Sequence, residues 1–107
     1  LLRSVKQLVQ AIARALGLAT PEEGVEALRQ GCGASLGIEL DVLLMLDVPS
    51  ALDLLGRRER GAAFEQLLRA LALLERKAGH VAAAVRYELH ADDVGAALET
   101  PNQVSGT

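Results

Sequence analysis

The segment GAAFEQLLRALALLERKAG, residues 61–79, limits what this chain can fold into more than any other stretch. Phe64, Leu67, Leu68, Leu71 and Leu74 recur at three- and four-residue steps, while Glu65, Arg69 and Arg76 fall on the other side. That spacing lays one apolar stripe along a helix; on a strand it scatters the same residues over both faces. Gly79 stops the helix, a second helical run follows from about His80 to Glu99, and Pro101 lies just beyond. Two long helices joined by so short a turn pack antiparallel as a hairpin. The hairpin is expected over residues 61–99, with Val81, Ala84, Val85 and Leu89 as the packed side of its second helix. The small Ala84 lets the two backbones approach closely.

The remaining segments carry the same signals. In LLRSVKQLVQAIARALGL, Leu2, Val5, Val9, Ile12 and Leu16 form a stripe that Leu1, Leu8 and Ala15 widen, and Gly17 provides a left-handed stop. TPEE places Thr20 as a cap, Pro21 at the first helical position and Glu23 where a capping box needs it. The helix that begins there keeps Val25, Leu28, Cys32 and Leu36 in phase. Gly24, Gly31 and Gly33 each weaken it by roughly 1 kcal/mol relative to Ala, so it is expected to fray, kink or lean on a close neighbour. GIELDVLLMLDVPSALDLLG reads as two short helices, the first starting near Asp41, the second signalled by Ser50 with Asp53 and ended by Gly56. RRER, residues 57–60, reads as a solvated polar connector.

Composition agrees with an all-α fold. Hydrophobic residues make up 50% of the 107, but there is one Phe, one Tyr and no Trp, so Leu, Val, Ile and Ala must build the core. Such a set suits packed helices better than a sandwich or barrel. The expectation is five or six helices, two of them short, in one domain over residues 1–100, with a flexible tail at 101–107. The first residue is Leu rather than Met, which leaves room for a preceding segment.

LLRALALLERKAGHVAAAVRYELHA is similar to one tetratricopeptide repeat. Leu68, Leu71 and Ala72 match the large, large and small positions of the repeat's first helix. Gly79 falls at its turn, and Ala84 and Ala91 match small positions of its second helix. Glu75 and Glu88 stand where that family usually has aromatics. The chain as a whole also resembles a group of short bacterial helical proteins of unknown function, with an LLR…QL…A…L opening helix and a Leu-rich middle. The tetratricopeptide resemblance implies protein–protein contact, although a single hairpin lacks the stacked array that forms a peptide groove.

Charge and motifs exclude several functions. A net charge of −3 gives no general attraction to nucleic acid or anionic membrane, and there are too few aromatics to stack bases. No apolar run reaches the roughly 20 residues that span a bilayer. Cys32 has no second cysteine to pair with, which fits a cytoplasmic location. Its place in the apolar spacing marks it as a buried thiol rather than a nucleophile. The glycines form neither GxxxxGK[ST] nor GxGxxG.

Both histidines lie in AGHVAAAVRYELHADD, residues 78–93. His90 shares a helix face with Asp93 and with Arg86, and a cation at that spacing opposes metal binding. Neither a metal, a cofactor nor a catalytic residue is therefore expected. Glu88 and Asp92 fall near the middle of the stripe of Val81, Ala84, Val85 and Leu89, where a carboxylate is costly unless paired or hydrated. Three arrangements satisfy them: exposure beyond Leu89, pairing with an arginine such as Arg3 or Arg14, or a polar pocket.

The favoured reading is a non-enzymatic interaction module that buries a Leu/Ala helix face against a protein partner or a second copy, with Leu1, Leu8 and Leu73 as the candidate surface. The alternative is a small-molecule binder or hydrolase using Glu88, His90 and Asp92 as a polar site.

Overall fold

Local punctuation decides where each helix begins and ends. The computed structural model describes residues 2–17, 20–56 and 58–99, except for the side chains of residues 2–5. Leu1 and the tail expected at 101–107 lie outside the described residues. Within them the chain is all-α: six helices and no strand. They are α1 (Leu2–Leu16), α2 (Pro21–Leu36), α3 (Leu40–Met45), α4 (Val48–Leu55), α5 (Arg58–Lys77) and α6 (Val81–Glu99).

Thr20 caps α2 as its sequence predicts, its Oγ1 accepting the Glu23 N–H at 3.2 Å, and Pro21 opens the first turn. Gly37 and Gly56 end α2 and α4 at φ 77° and 81°. Gly79 follows α5 at φ 86°. There the His80 N–H reaches the Glu75 carbonyl at 2.8 Å and the Gly79 N–H reaches that of Arg76 at 3.1 Å, the paired bonds of a Schellman turn. Gly17 differs. It ends α1 without a positive φ, its N–H on the Arg14 carbonyl at 3.1 Å. The α4 start also differs: Asp47 precedes it and Pro49 lies in its first turn, upstream of the Ser50 signal.

Of the RRER stretch, Arg57 lies outside the described residues and the other three are helix rather than connector. Arg58, Glu59 and Arg60 form the first turn of α5, and the two arginines bind the ends of other helices. Arg58 Nη2 donates to the Leu98 carbonyl near the end of α6 at 2.7 Å, and Arg60 Nη2 donates to the Leu36 carbonyl at the end of α2. Each places a cation on a carbonyl that the helix itself leaves unbonded, at the negative end of the helix dipole.

α5 is the central helix, touching α1, α2, α4 and α6. Phe64, Leu67, Leu68, Leu71 and Leu74 are buried as their spacing predicts. Ala63, Ala70 and Ala72 are buried as well, so α5 is covered on more sides than its leucine stripe indicates. α2 stays one continuous helix despite its glycines because close neighbours hold it. A Cβ on Gly24 would lie 2.9 Å from the Ala15 carbonyl oxygen and 2.9 Å from Leu74 Cδ1, and one on Gly31 would lie 3.3 Å from the Ala11 Cβ.

α6 is rotated from its expected phase, whereas the stripe of α1 departs from expectation at Val9. In α1, Leu8 and Ala15 are fully buried while Val9 is largely exposed. Leu8 is therefore a core residue and no part of an exposed surface: α5 and α2 cover that side of α1. In α6, Ala84, Ala91 and Val94 are buried, with Tyr87 and Leu98 partly so, whereas Val81, Val85 and Leu89 are exposed. The buried side lies about one residue step, roughly 100°, from the one predicted. The core side of α6 is small and flat, and it receives the large side chains of α5.

Cys32 is buried, its thiol donating to the Ile38 carbonyl at 3.3 Å. Burial pushes its pKa up to about 11. Above the ordinary thiol value of roughly 8.5, the unfolded chain loses a proton that the folded protein retains. Stability carried by this group is complete below that value and falls as pH rises toward about 11. Denaturant midpoints measured from about pH 8 to pH 11 are expected to fall more steeply for wild type than for Cys32→Ala. Equal slopes would show that Cys32 does not carry the effect.

Candidate functional site

The helical phase of α6 distributes its polar residues between two sides. Val81, Val85, Glu88, Leu89 and Asp92 share one. Ala83, Tyr87 and His90 lie on the opposite side.

On the first side, α5 and α6 are joined by two ion pairs. Arg76 grips Glu88 in a fork, with Nη2 on Oε1 at 2.7 Å and Nε on Oε2 at 3.1 Å. Arg69 meets Asp92 at 3.3 Å while also holding Glu65 at 2.8 Å. Glu88 and Asp92 are thus paired with arginines, but with those of α5 rather than Arg14; the Arg3 side chain lies outside the described residues. Burying the other side of α6 moves the two carboxylates to the hairpin seam, within reach of α5. Being half-exposed, each pair contributes about 0–1 kcal/mol. Their clearer effect is to set the register of the two helices. Around this seam stand four exposed apolar side chains: Leu73 on α5 (45% exposed), and Val81 (55%), Val85 (39%) and Leu89 (59%) on α6.

On the second side a cleft of about 450 Å³ opens between α2, α3, α5 and α6. Its polar lining is Arg29, Glu75, Arg86, Tyr87 and His90, and its apolar lining is Leu44 and Ala83. Arg29 Nη1 donates to Asp41 at 2.6 Å, a bond that raises the arginine's pKa. Glu75 Oε1 is held by His80 Nδ1 at 2.8 Å. Burial raises the Tyr87 hydroxyl, so it stays a protonated donor at neutral pH. His90 sets its ring edge-on to Phe64, centroids 6.0 Å apart at 79°, and its Nε2 is buried without a hydrogen-bond partner.

Of the residues singled out from the sequence, Leu73 is exposed at the hairpin seam, Leu8 is buried and Leu1 lies outside the described residues. Glu88, His90 and Asp92 do not meet: His90 lines the cleft, while the two carboxylates bind arginines on the other side of α6. Among the described residues, no group of three or more His, Cys, Asp or Glu is placed to hold a metal ion. Nor is any helix there long and apolar enough to cross a membrane. Sequence reasoning paired Arg86 with His90 but missed Arg29 and Tyr87 as their neighbours. Arg29 comes from a helix distant in sequence, and no local pattern announces that meeting.

Fold and surface together define a small all-α domain with a charged, apolar-crested helical hairpin. Compared with models of protein families, with curated proteins and with solved structures, the chain has no match.

Proposed function

We propose that this protein is a non-enzymatic, self-associating module that docks on a second copy of itself through the outer face of the α5–α6 hairpin. The observation that carries this reading is an apolar crest on each helix flanked by opposite charge. α5 presents Leu73 between Arg69 and Arg76, and α6 presents Val85 and Leu89 beside Glu88 and Asp92. A two-fold axis parallel to the hairpin lays α5 of one copy over α6 of the other. Each cationic row then meets an anionic row, and the Leu73–Leu89 contact forms twice. An axis across the hairpin sets like charge over like charge and is disfavoured. The likeness to a tetratricopeptide hairpin supports a role in protein contact. The lone, unpaired Cys32 supports a reducing, cytoplasmic setting. The net charge of −3 supports a protein rather than a nucleic acid as partner.

Light scattering over a concentration series is expected to show a dimer. Leu73→Glu and Leu89→Glu are each expected to weaken it by about tenfold or more, the effect of burying a charge at the centre of an interface. Met45→Glu serves as the control, since Met45 is 85% exposed on α3 and lies outside the proposed face. A wild-type monomer at about 1 mM would remove self-association. A dimer unaffected by either leucine variant would place the interface elsewhere.

A further inference from the structure

The cleft on the other side of α6 holds more hydrogen-bond donors than its own acceptors engage. Arg86 makes no hydrogen bond or ion pair among the described residues, and the same holds for the Tyr87 hydroxyl. Arg29 uses only Nη1 on Asp41, leaving its other guanidinium edge unengaged. His90 Nε2 is buried and unpartnered in the same cleft. Against these stands one carboxylate of the lining, Glu75, whose Oε1 is already held by His80. A buried polar atom such as His90 Nε2 is costly without a partner unless a ligand or water satisfies it, and the exposed Arg86 guanidinium, the Tyr87 hydroxyl and the free edge of Arg29 are donors around the same opening that suit an acceptor of negative charge.

We infer that this cleft binds a small organic anion. Its carboxylate or phosphate group accepts from Arg86 and Tyr87, and its short apolar body rests against Leu44 and Ala83. The volume of about 450 Å³ lies within the range of small-molecule sites, roughly 300–1,000 Å³. Guanidinium groups from α2 and α6 approach the opening from different helices, so the anion bridges the hairpin to α2. Arg86 supplies the main charge because Arg29 is already matched by Asp41. His90 Nε2 gives a second polar contact deeper in, beside Phe64. The site shares none of the residues assigned to self-association, so either can fail without the other.

The test uses the full chain and three probes: phenylacetate, phenyl phosphate and the neutral phenylacetamide. Binding is followed by amide chemical-shift changes over residues 83–90 and by titration calorimetry. At least one anion is expected to bind at about 10 mM or below, and about tenfold more tightly than phenylacetamide. Which anion wins separates a carboxylate from a phosphate ligand; either supports the site. Arg86→Gln and Tyr87→Phe each keep size and helix propensity, and each is expected to weaken anion binding, the arginine variant by about tenfold. Arg14→Gln, exposed on α1 and outside the cleft, is expected to leave binding unchanged. Equal binding of anion and amide, an unchanged Arg86→Gln affinity, or no shift with any probe at about 10 mM would each overturn the assignment.

Discussion

Phe64→Ala is expected to lose about 3–5 kcal/mol of stability, enough to leave a domain of ordinary stability, roughly 5–15 kcal/mol, close to unfolding. Phe64 is the only phenylalanine of the chain and is fully buried in its central helix. The rest of the buried core is Leu, Ala, Val and Cys, and such side chains relax only partly into the space a lost ring leaves. The substitution also removes the ring that forms a T-shaped pair with His90, centroids 6.0 Å apart, on the wall of the cleft. Phe64→Leu keeps most of the volume and is expected to cost less than about 1.5 kcal/mol. Urea denaturation of both variants measures the difference. If the two lose the same stability, the cavity is not what makes this position matter.

Gly24→Ala is expected to destabilise by about 1–3 kcal/mol, although alanine is the better helix former. The new methyl would stand 2.9 Å from the Ala15 carbonyl oxygen, a backbone atom of α1, and 2.9 and 3.1 Å from the two Leu74 methyls. A side chain end can turn away, but a carbonyl inside a helix moves only with its helix. Gly33, in the same helix, has nothing within 4 Å of the position a Cβ would take. Gly33→Ala is therefore expected to stabilise by about 0.5–1 kcal/mol, the helix-propensity term alone. Opposite signs for two identical substitutions nine positions apart are the signature of packing over propensity. Equal signs in thermal denaturation would mean that α1 and α2 do not approach as closely as described.

Much of the fold is legible because helix punctuation is local. Thr20 with Pro21 starts α2, and Gly56 and Gly79 end α4 and α5, where an αL backbone is needed and only glycine adopts it freely. The leucine stripe of α5 gives the right buried face because large side chains leave no doubt about which side must be dry. Leu68, Leu71, Ala72, Ala84 and Ala91 of the hairpin are all buried. Glu75 is held by His80 and Glu88 by Arg76.

The phase of α6 was not legible in the same way. α6 carries Ala, Val and Leu around much of its circumference, so periodicity alone names no face. Val81, Val85 and Leu89 point to one side, yet Ala84, Ala91 and Val94 are the residues buried, with Tyr87 and Leu98 partly so. In α1 the stripe is right at Leu8, Ile12, Ala15 and Leu16 and wrong at Val9, which is adjacent to Leu8, so that only one of the two points inward. RRER looked like a connector because a charged run carries no apolar signal. Arg58 and Arg60 lie in a helical turn, and their partners, Leu98 and Leu36, lie 40 and 24 residues away.

The sequence by itself determined an all-α chain, the punctuation of most of its helices, the buried face of α5 and the packed thiol of Cys32. These follow from contacts within a few residues, where side-chain chemistry acts on its own backbone. Tertiary structure alone decided which side of α6 is buried. With that it decided that Glu88 and Asp92 meet Arg76 and Arg69, and that Arg86, Tyr87 and His90 line a cleft with Arg29. The reason is steric: an alanine-rich helix has no strongly preferred side, so its rotation is set by the shape of the neighbour it packs against.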